Sequence, residues 1–117
     1  MTPSSNTIVV RVGGTDFRTS RETLDQGGRG YFAARLKHDA VVEMDFGREV
    51  LPCIEVDRDP ENFRIVLSWM RSHRLPSAVA ADRQVLEDLE PEATFYALDD
   101  LRQTVVEALR REAAPLR

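Results

Sequence analysis

Apolar and polar positions follow two different periods along this chain, and the change of period organises it. Ile8-Val9-Val10-Arg11-Val12 is a β-branched, apolar run of the kind that forms a buried or half-buried strand. Gly13-Gly14 ends it with two residues that tolerate positive φ, so the chain can reverse into Asp16-Phe17-Arg18-Thr19 as an antiparallel partner. Thr19 and Glu22 have the S/T-x-x-E spacing of a capping box, which predicts a helix start and a short helix over residues 20–25. Three glycines in Gly27-Gly28-Arg29-Gly30 interrupt that helix, and Tyr31 to Leu36 resumes it, with Phe32 and Leu36 on one buried face.

Residues 37–51 are mixed in character, and the pattern predicts an irregular connection with one short strand. Cys53-Ile54-Glu55-Val56 is a compact strand run after Pro52, with Ile54 and Val56 alternating away from Glu55. From there the period is helical. Asp59 is placed to cap a helix with Pro60 at its first position, where a missing N–H is harmless. Phe63, Val66, Leu67 and Met70 then follow the i, i+3, i+4, i+7 template to about His73, with Ile65 and Trp69 widening the stripe.

Residues 78–82 read as a linker, residues 83–89 as a second helical unit, and Pro91 as the start of a further turn carrying Ala93, Phe95, Tyr96 and Leu98. The pattern leaves Glu90 and Glu92 on the exposed side. Asp99 and Asp100 begin a last amphipathic helix in which Leu101, Val105 and Leu109 recur, with Arg110 and Arg111 at its carboxyl end and Pro115 stopping it. The order is therefore hairpin, two short helices, a strand and a helical carboxyl half. We expect one domain over residues 7–112, between a flexible amino terminus at 1–6 and a tail at 113–117.

Composition narrows the function classes. At 117 residues the chain is the usual size of one domain, and 42% hydrophobic with 31% charged residues is an ordinary soluble balance. A net charge of −4 argues against an electrostatic nucleic-acid binder. The single cysteine, Cys53, allows no intrachain disulfide or multi-cysteine zinc site, and it fits a reducing, cytoplasmic compartment. No apolar run approaches membrane-spanning length, so no direct membrane contact is expected.

Catalytic chemistry is sparse. His38 and His73 have no cysteine, serine or carboxylate at a recognisable spacing, and Cys53 reads as a small packed residue. The glycine loop lacks the patterns of a phosphate cradle and joins no strand to a helix. The acidic run Glu87-Asp88-Glu90-Glu92 lacks the loop of a calcium site and reads as a solvated helix face. No metal and no cofactor are expected. The noteworthy charges are Arg18 and Arg21 beside the capping box, which have no acidic partner at helical spacing, and the Asp57-Arg58-Asp59 corner.

These residues, in order, resemble a known family. The run Ile8 to Gly14 with Thr15, Phe17, Thr19, Arg21, Thr23 and Leu24, then Asp57-Arg58-Asp59-Pro60 with Phe63, Val66 and Leu67, then Glu92-Ala93 with Phe95, Tyr96 and Leu98, looks like the BTB/POZ-type potassium channel tetramerisation domain, including its soluble KCTD-like members. The resemblance implies an α/β (α+β) BTB/POZ-like fold, a small mixed sheet flanked by helices with a helical carboxyl half, and no enzymatic activity. It further implies side-by-side self-assembly into a homo-tetramer or homo-pentamer through a heterologous interface, with Arg18, Thr19 and Arg21 on one surface and Asp57, Arg58 and Asp59 on the other. It offers two settings, a soluble adaptor that often recruits a cullin-RING ubiquitin ligase and the cytoplasmic subunit-assembly domain of a voltage-gated potassium channel. The form of the Asp57 and Arg21 motifs favours the adaptor. This chain departs from the family at Arg11, usually asparagine, at the glycine loop, usually a proline-containing turn, and at Ala97, usually glycine. The His and Cys ligands of the zinc found in some channel domains are missing.

Overall fold

The apolar run at the amino end pairs on both sides. A computed structural model describes residues 6–38 and 41–113, which divide into two compact units, one ending at Pro60 and the other beginning at Glu61. In the first unit, β1 (Thr7–Val12) lies between β2 (Thr15–Ser20), antiparallel to it, and β4 (Val50–Val56), parallel to it; β3 (Val42–Asp45) pairs antiparallel with β4. The sheet order is β2-β1-β4-β3. Helices α1 (Arg21–Asp25) and α2 (Gly30–Lys37) fall between β2 and β3.

The register explains which side chains are buried. Ile8, Val10 and Val12 share a face with Phe17, Ile54 and Val56, all 9% exposed or less. The other face carries a smaller cluster of Val9, Leu51 and Cys53, against which Met44 and Phe46 pack. Burial pushes the Cys53 thiol up from its ordinary range, which keeps it protonated and inert at neutral pH.

Three sequence expectations change here. The helix cap is Ser20, whose Oγ accepts from the Thr23 N–H at 3.0 Å, and not Thr19. Strand pairing runs on through Thr7 opposite Ser20 and an Arg21 N–H bond to the Asn6 carbonyl, so Thr19 is still in the ladder. Strand β4 begins at Val50, ahead of Pro52. The proline is tolerated because pairing with β1 starts only at Cys53, leaving β3 as the one strand opposite it. Helix α2 begins at Gly30, not Tyr31, and Leu36 is only half-buried beside Phe32 and Ala33.

The second unit contains α3 (Pro60–Ser72, its first residue at the division), α4 (Ser77–Ala80), α5 (Arg83–Phe95) and α6 (Asp99–Ala113). As expected, α3 opens on Pro60 and buries Phe63, Val66, Leu67 and Met70, together with Trp69. The expected linker holds the single turn α4. Helix α5 is continuous through Pro91, which the sequence pattern had made a helix start. Proline forfeits the bond to the Glu87 carbonyl, but both residues lie on the exposed face where water can replace it, while Leu86, Leu89 and Ala93 are buried on either side. Asp82 caps this helix by accepting from the Val85 N–H. Glu92 is 6% exposed, contrary to expectation, because it lies on the stripe of Leu89 and Ala93. In α6 the buried positions are Leu101, Val105 and Ala108, with Leu109 half-buried. The flexible start expected over residues 1–6 falls, apart from Asn6, outside the described residues, as does Pro115.

Helix α5 ends in a Schellman turn. The Leu98 N–H donates to the Ala93 carbonyl at 2.9 Å and the Ala97 N–H to the Thr94 carbonyl at 3.1 Å, with Ala97 at φ 53°. That is the left-handed region, where an L-residue with a Cβ is strained by about 1–2 kcal/mol. Ala97→Gly should therefore stabilise the chain by about 1 kcal/mol, part of the relief being offset by glycine's greater freedom when unfolded. A denaturant midpoint that falls on this substitution would contradict the strain argument.

Candidate interaction surface

The hairpin turn places one charged surface and clamps another. Gly13 and Gly14 have φ of 54° and 88°, the two positive values of a type I′ turn, which joins β1 to β2 with Val12 opposite Thr15. The Gly13 N–H donates to the Val56 carbonyl at 3.0 Å. A Cβ built on Gly13 would lie 2.6 Å from the Arg58 carbonyl oxygen and 3.0 Å from Pro60 Cδ. The turn thus presses directly on the Asp57-Arg58-Asp59-Pro60 corner, and only glycine allows that approach.

Asp57 and Asp59 are exposed at this corner and Arg58 is half-buried. Arg18, Thr19 and Arg21 lie at the other end of the hairpin, where Thr7 pairs with Ser20. The two sets are separated along the strands by about 15–20 Å at ~3.3 Å per residue. Arg18 is exposed and its guanidinium meets Glu49 Oε1 at 3.0 Å, a partner from a loop that helical spacing could not reveal. Alternation along β2 turns Thr19 to the opposite face, where its Oγ1 is buried and lacks a hydrogen-bond partner among the described residues. Arg21, half-buried, is the first residue of α1. Among the described residues neither Arg21 nor Asp57 forms an ion pair.

Arg11, where the family usually has asparagine, is tied within the sheet. Arg11 Nε donates to Asp16 Oδ1 at 2.6 Å and the same guanidinium donates to Oδ2 at 3.2 Å. Glu55 Oε2 stands 3.8 Å from the Arg11 NH1 nitrogen, and the guanidinium lies over the Phe46 ring at 5.8 Å. The signal was present in the sequence, since a two-residue turn puts residues equidistant from it opposite one another. The hydrogen bond from Arg11 holds the Asp16 carboxyl below its ordinary value of 3.8.

A depressed carboxyl pKa contributes stability that is fully present above the unfolded-state value and is lost as pH falls through the lower folded-state value. Asp16→Asn is therefore expected to melt below the wild type at pH 6, with the gap narrowing at acid pH values below the ordinary 3.8. An equal gap in both pH ranges would show that the aspartate does not act through its charge.

Nothing else in the described residues assembles a reaction centre. His38 follows α2 and His73 follows α3, Cys53 is buried, and the glycine loop joins two helices. Among the described residues no three of His, Cys, Asp and Glu are placed to hold a metal ion, and no helix is long and apolar enough to cross a membrane.

Comparison with known proteins agrees with the fold. A family model described as the BTB/POZ domain matches residues 8–106. The human and bovine BTB/POZ domain-containing protein KCTD5 are each 30% identical over 107 residues, covering 91% of this chain and 43% of the relative. The chain thus spans less than half the length of these curated relatives. Among solved structures, the BTB domain of zebrafish PATZ1 superposes with a TM-score of 0.63 at 13% identity, covering 89% of this chain and 75% of the other, a likeness of fold.

Proposed function

The chain belongs to the BTB/POZ domain family, and on that premise we propose that it is a ring-forming assembly module of KCTD type, with residues 7–112 closing into a tetramer or pentamer. BTB/POZ domains are interaction modules that self-associate and bind other proteins, and catalysis is not their general role. In this reading Arg18, Thr19 and Arg21 of one copy meet Asp57, Arg58 and Asp59 of the next. Thr19 serves from beneath, through the backbone that carries its neighbours.

The observation that carries the proposal is the placement of Arg21 and Asp57. They have opposite charge, form no ion pair among the described residues, and stand at opposite ends of one hairpin. A closed ring needs two different complementary surfaces on one protomer, and this placement supports that reading. Arg18, paired with Glu49 at an exposed site, can exchange that partner at little cost.

Mass in solution tests this. Light scattering at micromolar concentration is expected to give four or five copies, and a monomer would refute the ring. The similarity to KCTD5 favours the soluble adaptor over the channel setting. The adaptor role extends, in this proposal, to recruitment of a cullin scaffold. Co-elution of the assembled chain with a purified cullin amino-terminal domain is the expected result, and separate elution would remove that part alone.

A further inference from the structure

We propose that a cleft in the unit beginning at Glu61 is a docking site for an acidic peptide segment of a partner protein. The cleft holds about 300 Å³. Trp69 and Ala108, 6% and 1% exposed, give it an apolar floor beside Leu75. Arg74 and Arg111 line it as exposed cations with the exposed His73 ring beside them, and among the described residues that line it none is acidic.

The cleft is thus locally basic in a chain of net charge −4. Arg11, Arg18, Arg83 and Arg102 each pair with a carboxylate of their own unit. Arg74 and Arg111 form no ion pair among the described residues, so two guanidinium groups with bidentate capacity are left beside one apolar floor. The backbone beside Arg74 turns left-handed at the end of α3. His73 has φ 57°, held by its N–H bond to the Trp69 carbonyl at 2.6 Å, and its ring meets the Trp69 ring edge-on at 5.8 Å. This left-handed residue closes α3, as Ala97 closes α5, and it sets where Arg74 leaves the helix.

The size of the surface points to a peptide rather than a single anion. A second depression of about 350 Å³ shares Arg74 and Leu75 and continues along Ser72 and Pro76. A lone carboxylate would use the cations and leave the tryptophan floor empty. An extended segment alternating acidic and apolar side chains uses both. None of the residues proposed for self-assembly lines the cleft, so the two proposals stand or fall separately.

Trp69 is the only tryptophan of the chain, so its emission reports on this cleft alone. The assembled full chain is titrated with an acetylated hexapeptide alternating glutamate and leucine. A saturable change in emission is expected, with no such change from the peptide bearing lysine for glutamate. Arg74→Glu and Arg111→Glu should each weaken binding about tenfold or more, and the neutral Arg74→Gln and Arg111→Gln about threefold. Raising salt from about 50 to about 500 mM should weaken it as well. Melting and light-scattering mass of the variants should match the wild type, since both side chains are exposed; if a Glu variant does not fold, its Gln counterpart decides.

Any of four results would overturn the proposal: no saturable change, equal response to the lysine peptide, indifference to the arginine variants, or a response that acetate or inorganic phosphate reproduces at the same concentration. Tighter binding of single-stranded oligothymidylate than of the glutamate peptide would overturn it too, and would reassign the cleft to nucleic acid.

Discussion

Gly13→Ala is expected to destabilise the chain by about 2–5 kcal/mol, enough to remove a large part of the total stability of an ordinary domain. Two terms add. A left-handed backbone with a Cβ costs about 1–2 kcal/mol. The new atom would also stand 2.6 Å from the Arg58 carbonyl oxygen, a backbone atom that cannot swing aside, and 3.0 Å from Pro60 Cδ. Relief requires moving the corner or the turn, and overpacking of that kind costs about 1–3 kcal/mol. Gly14→Ala is the control, because its φ is 88° and nothing lies within 4 Å of where its Cβ would stand. It should lose the backbone term alone. Chemical denaturation of the two variants side by side measures the difference, and equal midpoints would show that the turn does not bear on the corner.

Charge reversal at the proposed interface is the second large effect. Arg21→Glu and Asp57→Arg should each reduce the assembly to single protomers at micromolar concentration, because close charge pairs across interfaces couple by about 1.5–7 kcal/mol and every contact in the ring carries the defect. The double variant reverses both partners at each contact and should reassemble. Circular dichroism and melting of the single variants should remain near wild type, since Asp57 is exposed and Arg21 heads a helix at the surface. Normal assembly of both single variants would place the interface elsewhere. A double variant that stays monomeric would mean that these two residues do not face each other.

How much was legible depended on whether the determinants were local. The hairpin was readable because β-branched alternation and two adjacent glycines agree, and α3 because its apolar spacing, its acidic first turn and Pro60 agree. The cap was read one residue early because S/T-x-x-E marks Thr19, whereas strand pairing with residues far earlier in the fold order decides that the helix starts at Arg21. Pro91 misled for a similar reason. Its local preference is for a helix start, and burial of Leu86, Leu89 and Ala93 on both sides overrides it.

Glu92 was taken for a surface residue on charge alone, although its spacing from Leu89 matched the buried stripe. At the candidate interface the residue types and their two locations were readable, but Arg18 with Glu49 was not. That pair depends on how a loop before β4 returns across the sheet, which no periodicity encodes.

The parallel pairing of β1 with β4 has a kinetic consequence. β1 finds β2 across two turn residues, an event on the microsecond scale, but it can pair with β4 only after residues 13–49 have been closed into a loop. Folding of the first unit should therefore begin at the hairpin and finish at β4, with the Arg58 carbonyl seated against Gly13 among the last contacts made. A clash introduced there would act on the rate of unfolding more than on the rate of folding. The same glycine that admits the corner would then be what keeps the finished sheet from reopening.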